Sequence, residues 1–323
     1  MKRFFSLMAV MMCILLAASC RPATKEEDKE LFVVGFSQSG SESDWRLANT
    51  SSMVDTFTEE NGYELMMENA MQQQENQFAA VRSFILEDVD LIVIAPATEE
   101  GWETVLTEVR DAGIPVIIMD RSVNVWDRSL YLTNVGSDFL GQGYRAMDWL
   151  EEQTEGEELK ILHLQGTYGT TAQILRSRAL ESAVSSRDEW EIVSQLEGDF
   201  TEAKGYEVMT EYLKQNTDFN VLYSENDNMT FGAMRAMDEA GITYGEGGQV
   251  RIITFDATKA ALQLCMEGKI DLCVECNPMQ GPLVEELIEA YRAGEDVDDQ
   301  VYIDESIFAK GDLTQDFIDS REY

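Results

Sequence analysis

Histidine is all but missing from this chain: among 323 residues only His163 is one. It stands inside an apolar run, where a core position is favoured over catalysis. Without a second histidine there is no Ser-His-Asp spacing, so hydrolase chemistry has little support. No stretch offers metal-ligand spacing. Basic residues are also scarce, 24 against 61 acidic ones, for a formal charge of -37. Nucleic-acid phosphates would be repelled by that balance, so no nucleic-acid partner is expected. The acid is spread along the chain and describes a solvated surface. Long apolar runs are lacking as well. The most apolar stretch, residues 4–16, is too short to span a bilayer. Cysteine is used five times, an odd number that cannot pair completely. Cys273-x-x-Cys276 has no His or second Cys pair nearby, which is weak support for metal or redox chemistry. Cys265, Cys273 and Cys276 are expected as buried thiols, with one disulfide to Cys265 as the alternative. Carboxylates abound, but spacing cannot sort them into an acid and a base.

The first twenty residues stand apart. Lys2 and Arg3 precede the apolar run, and Ala17, Ala18 and Ser19 precede Cys20. This resembles a bacterial lipoprotein signal, cleaved before Cys20 with lipid on its sulfur. Ala17 replaces the usual Leu, and an ordinary signal peptide with an incidental Cys is the alternative. Residues 21–30, RPATKEEDKE, read as a polar tether.

The chain is organised around LFVVGFSQSGSESDWR, residues 31–46. Its apolar opening suits a buried strand, and Ser41 or Ser43 suits a helix cap. Such a strand, loop and helix open an α/β unit. The loop carries Ser37, Gln38, Ser39, Glu42, Trp45 and Arg46 at the C-terminal end of the strand, where open α/β sheets hold ligands. Hydroxyl, amide, carboxylate, indole and guanidinium together suit a polyhydroxylated ligand. A solvated loop with a packed Trp is the alternative.

Further strands are expected at 63–68, 90–95, 114–119 and 130–135, with helices at 45–60, 72–86 and 99–112. The pattern then restarts. Helices are expected at 138–152, after the turn at 165–170, at 202–215 and at 229–240. Strands are expected at 159–164, 191–196, 219–223, 250–255 and 270–275. Near-continuous apolar strands imply parallel sheets covered on both faces. The amides of 72–77 read as a solvated helix start, with one or two amides directed at a ligand as the alternative. The Gly-rich turn at 165–170 lacks the Lys-Ser/Thr of a phosphate loop, and no cofactor is expected. Polar residues recur at strand ends: Asp120 with Arg121, Asn226 with Asp227, Asp256, and Asn277. A surface ion pair is the alternative for Asp120 and Arg121. Their placement, which repeats that of the first loop, favours a shared crevice.

With these residues in view, the chain resembles the type I periplasmic sugar-binding proteins of ABC transporters, and within them the galactofuranose binders. The likeness runs from about Phe32 to the last residues. It rests on VGFSQSGSESDWR (34–46), QQQENQ (72–77) with AVRSF (80–84), IAPATEEGWETVL (94–106), AGIPVIIMDR (112–121), LQGTYG (164–169), GDFTEAKGYEVM (198–209) and END with DNM (225–229).

The resemblance implies two Rossmann-like lobes joined by three crossings, with sugar between them. It assigns 31–134 plus 277–303 to the first lobe and 135–276 plus 304–323 to the second. It implies sugar contacts from Trp45, Arg46, Asp120, Arg121, Arg176, Asn226, Asp227, Asp256, Glu275 and Asn277, to which the reading of the first loop adds Ser37, Gln38 and Glu42. Trp45 is the expected stacking ring, with Phe36 or Tyr168 second. The implied protein is a monomeric receptor, not an enzyme. It would capture a monosaccharide, a furanose such as galactofuranose, for an ABC permease with its ATPase, and be held to the membrane by lipid at Cys20. A sensor presenting its sugar to a membrane receptor or kinase is the alternative.

Overall fold

The structure, a computed structural model, describes residues 31–323. The expected signal segment, Cys20 and the tether lie outside the described residues.

The first lobe is built on a sheet of six strands, ordered β2-β1-β3-β4-β5-β11. In the same sequence these are Tyr63–Asn69, Phe32–Gln38, Leu91–Ile94, Val116–Met119, Thr133–Gly136 and Gln300–Tyr302. Every pairing in it is parallel. The second lobe repeats the order as β7-β6-β8-β9-β10-β12. Its strands are Trp190–Glu197, Leu159–Gln165, Val221–Ser224, Arg251–Asp256, Leu272–Glu275 and Ile307–Ala309. Only β12 runs antiparallel to its neighbour.

Both central strands of the first lobe, LIVI and VIIM, are buried at every residue, as strands covered on two faces must be. Side chains alternate between the faces. Leu91 and Val93 join Phe36, Met53 and Val284 on one side, while Ile92 and Ile94 join Phe84, Trp102 and Leu106 on the other. The helices that supply these covers are α1 (Asp44–Thr56), α2 (Gln74–Leu86), α3 (Glu103–Ala112) and α9 (Gly281–Ala293). In the second lobe the covers are α4 (Phe139–Gln153), α5 (Thr171–Ser185), α6 (Glu202–Leu213), α7 (Asp227–Ala240) and α8 (Lys259–Met266), with the short α10 (Gln315–Ser320) on α8.

Several expectations shift. The helix expected from residue 99 starts at Glu103, because residues 98–101 form a bend that reaches the other lobe. The helix expected to residue 60 ends at Thr56, and turns fill 59–62. The strand expected at 130–135 is a 3-10 turn, Arg128–Leu130, followed by β5. Among the amides of 72–77, Gln77 is buried and not solvated. It donates to Ala95 O at 2.8 Å and accepts from Ala97 N at 2.7 Å, bracing the end of β3. Cys265, Cys273 and Cys276 are buried free thiols. His163 is buried and pairs with Glu225 at 2.9 Å. No helix among the described residues is long and apolar enough to cross a membrane.

Candidate functional site

Parallel strands direct their C-terminal ends toward one edge of each sheet, and here the two edges face each other. Between them lies a small cavity. From the first lobe come Glu42, Ser43, Trp45 and Arg46, in the loop after β1 and the first turn of α1. Asp120 and Arg121 follow β4. The second lobe adds Phe139, Ala172, Arg176, Phe200, Asn226, Asp256 and Cys276.

The first turn of α1 is set by Ser43, whose Oγ accepts from Arg46 N at 3.2 Å. That cap turns Arg46 inward, where its charge is spread over a network. Arg46 Nη2 meets Asp120 Oδ2 at 2.7 Å and its Nε meets Glu42 Oε1 at 3.3 Å. Arg121 Nη2 reaches the same Glu42 oxygen at 3.4 Å. Burial pushes the Glu42 carboxyl upward, but Arg46 and Arg121 outweigh it and hold the group below the ordinary carboxylate range. Its other oxygen, Oε2, is buried without a hydrogen-bond partner. A buried acceptor left unpaired is costly, and a donor from a ligand would relieve that cost.

Arg176 crosses from α5. Its Nε and Nη2 donate to Gln142 Oε1 at 3.0 and 2.8 Å, and its Nη1 to Glu225 O at 2.6 Å. Those bonds occupy three of the five N–H groups of a guanidinium. Asp256, opposite, has no hydrogen bond to its carboxylate among the described residues. Its carboxyl is pushed well up, first by burial and then by Asp227.

Backbone strain concentrates here. Asp120 has φ 65°, Phe200 φ 57° and Asp256 φ 110°. Positive φ in non-Gly residues is uncommon and gathers at ligand clamps. Phe200 also explains Gly166: a Cβ there would come within 1.9 Å of the Phe200 ring. Trp45 donates its indole N–H to Cys276 O at 2.6 Å, which fixes the ring at the cavity wall.

Eight of the thirteen residues singled out in the sequence thus converge: Glu42, Trp45, Arg46, Asp120, Arg121, Arg176, Asn226 and Asp256. The other five do not line the cavity. Gln38 bonds Asn49 at 3.0 Å and accepts from Arg46 at 3.3 Å, so it braces a site residue from behind. Ser37 faces Gln77. Asp227 is taken up by Thr254 and Thr258. Glu275 accepts from Ser306 N, and Asn277 Oδ1 accepts from Met279 N within its own turn. Among the ring candidates, Phe36 is in the core and Tyr168 is half exposed. Phe139 and Phe200 are the rings that sequence reasoning missed, along with Ala172 and Cys276. Phe200 had a signal, since it follows the end of β7 as Asp120 follows β4. No group of metal-binding side chains occurs among the described residues.

The lobes touch at the rim of the cavity. Asp44 N donates to Asn228 Oδ1 at 3.1 Å, and Thr171 Oγ1 donates to Glu99 Oε1 at 2.6 Å. The cleft is closed.

Twin sheets of matching order, a cleft at their C-terminal edges and a closed polar cavity define a two-lobed ligand receptor. The chain belongs to the periplasmic binding protein family: residues 34–296 match the family's periplasmic binding protein domain. Its members bind ligands and are not enzymes, and they work outside the cytoplasm. The chain is 36% identical to the galactofuranose-binding protein YtfQ of Escherichia coli over 293 residues, 90% of this chain and 91% of that one. It is also similar in structure to the periplasmic component of the arabinose ABC transporter of Shewanella sp. ANA-3, solved with α- and β-L-arabinofuranose. That likeness has a TM-score of 0.82 and 37% identity, and covers 86% of this chain and 92% of that one. A Mycobacterium smegmatis structure in complex with β-D-fucofuranose gives a TM-score of 0.82 and 37% identity, over 87% and 92% of the two chains.

Proposed function

We propose that this protein captures a monosaccharide in furanose form, such as galactofuranose, and delivers it to an ABC importer. The observation that carries this reading is the balance of the cavity. Three guanidiniums, from Arg46, Arg121 and Arg176, face three carboxylates, from Glu42, Asp120 and Asp256, in a small closed space. A neutral sugar has no charge to neutralise but many hydroxyls that each donate and accept. Asp and Glu accept from them, Arg donates as a fork, and Asn226 can do both. Ring selection follows from closure. A hydroxyl left unmatched in a dry cleft costs about 1–3 kcal/mol, or roughly tenfold to a hundredfold in affinity. Furanose ligands in two of the similar structures support the ring size.

In this reading the eight converging residues hold the sugar, and the lobes close on it about their three crossings. The receptor acts as a monomer. After cleavage Cys20 carries the lipid that keeps it at the membrane, and the following polar residues are its tether. The support is the small-residue sequence before Cys20 and the short apolar run ahead of it. A thermal-shift panel of pentoses and hexoses tests the ligand class. Stabilisation by sugars that populate furanose rings, and not by D-glucose, is expected. Stabilisation by D-glucose alone contradicts the furanose reading.

A further inference from the structure

The chain passes between the lobes three times, after β5 at 137–138, after β10 at 276–280, and between β11 and β12 at 303–306. One carboxylate, carried on the third crossing, bonds to the other two. Glu305 lies on the third, with a side chain only 2% exposed. Its Oε1 accepts from Ser137 Oγ of the first crossing at 2.5 Å and from Asn277 N of the second at 3.0 Å. Its Oε2 accepts from Gln142 Nε2 at 2.7 Å, with Arg145 Nη2 further off at 3.7 Å. The oxygen of that same Gln142 amide receives Arg176 Nε and Nη2. A continuous path therefore runs from the hinge to the cavity.

We infer that Glu305 is a positioning residue that couples the hinge to the cavity, fixing the amide of Gln142 so that Gln142 aims Arg176 at the ligand. The inference rests on the reading of Arg176 as a ligand-binding group. Its chemical basis is polarity. A carboxylate only accepts and a guanidinium only donates, so an amide between them satisfies both in one orientation alone. Replace the carboxylate by an amide and that constraint is gone. Gln142 can then turn its NH2 toward Arg176, where donor meets donor in a buried site and no bond forms.

The test uses the chain from Cys20 onward, as wild type, Glu305→Gln, Gln142→Met, the double variant and Ser137→Ala. Without ligand, the Arg176 Nε–Hε resonance is followed by NMR and assigned by its loss in Arg176→Lys. Glu305→Gln is expected to shift or broaden that resonance although residue 305 does not touch Arg176. Ser137→Ala, which removes a hinge bond and leaves Gln142 in place, is expected to leave it unmoved. With L-arabinose, Glu305→Gln is expected to bind about tenfold more weakly, and the double variant no more weakly than Gln142→Met. An unmoved Arg176 resonance in Glu305→Gln overturns the inference, as do losses that add in the double variant. If the wild type binds neither L-arabinose nor D-galactose, the sugar reading fails and the resonance alone decides. If Glu305→Gln does not fold, Glu305→Asp, which withdraws the carboxylate by one methylene, takes its place with the same expectation.

Discussion

Asp44 and Asn228 bond each other reciprocally across the mouth of the cleft: Asp44 N donates to Asn228 Oδ1 at 3.1 Å, and Asn228 Nδ2 to Asp44 Oδ2 at 3.2 Å. The first lies in the first turn of α1 and the second in the first turn of α7, so the pair exists only while the lobes are closed. Neither residue lines the cavity. Asn228→Ala should therefore weaken sugar binding by about threefold to tenfold, the worth of one or two hydrogen bonds. The loss should appear in the dissociation rate, read by stopped-flow fluorescence of Trp45 and its neighbours. An unchanged dissociation rate would show that this contact does not hold the cleft shut.

Arg121 is the guanidinium with the most to lose. It donates to Ala97 O at 3.2 Å and meets Glu42 at 3.4 Å, on the cavity wall at the end of β4. Arg121→Ala is expected to abolish detectable sugar binding and leave circular dichroism and cooperative melting intact. Normal binding, or loss of folding, would count against its role as a ligand group.

The strand ends were legible because topology alone aims them. Once the apolar runs are strands of a parallel sheet, Asp120, Arg121 and Asp256 can only stand at the cleft edge. Arg46 was legible through its place one turn into the helix after β1. Ser37, Gln38 and Glu275 misled for the complementary reason. Like Asp256 they are strand residues, and the alternation of a strand decides which of its last side chains enters the cleft. Phe139 was illegible because an aromatic ring in an apolar pattern reads as core, whereas Phe200 carried a signal in its place just past β7. Glu305 was illegible because it is one acid among 61, and only the meeting of three distant chain crossings distinguishes it.

Buried acids should give the unliganded protein an unusual pH response. Asp227 is raised, chiefly by burial, to about 6, and Asp256 is raised by burial and by Asp227. Thr254 and Thr258 donate to Asp227 and favour its ionised form, whereas Asp256 has no such donor. A carboxyl raised in the folded state holds its proton where the unfolded chain has lost it. Its contribution to stability is therefore full at low pH and falls as pH rises above the ordinary carboxylate range toward the raised folded value. Asp256→Asn, neutral throughout, should melt a few degrees above wild type at about pH 7, with the gap closing toward about pH 4. A gap that widens on acidification would reverse the sign and refute the assignment.

Membrane attachment at Cys20 has its own test. Cells expressing the full chain and fed a labelled fatty acid should incorporate label into this protein. Cys20→Ser should lose the label and move to the extracytoplasmic soluble fraction. Label retained in Cys20→Ser would place the anchor elsewhere or dispense with it.

The most direct measurement is isothermal titration of the chain from Cys20 onward with D-galactose, L-arabinose and methyl β-D-galactofuranoside, set against D-ribose and D-glucose. The account predicts micromolar or tighter binding of a furanose, with D-glucose silent. Tight binding of D-glucose or D-ribose with no response to any galactose or arabinose furanose would contradict it.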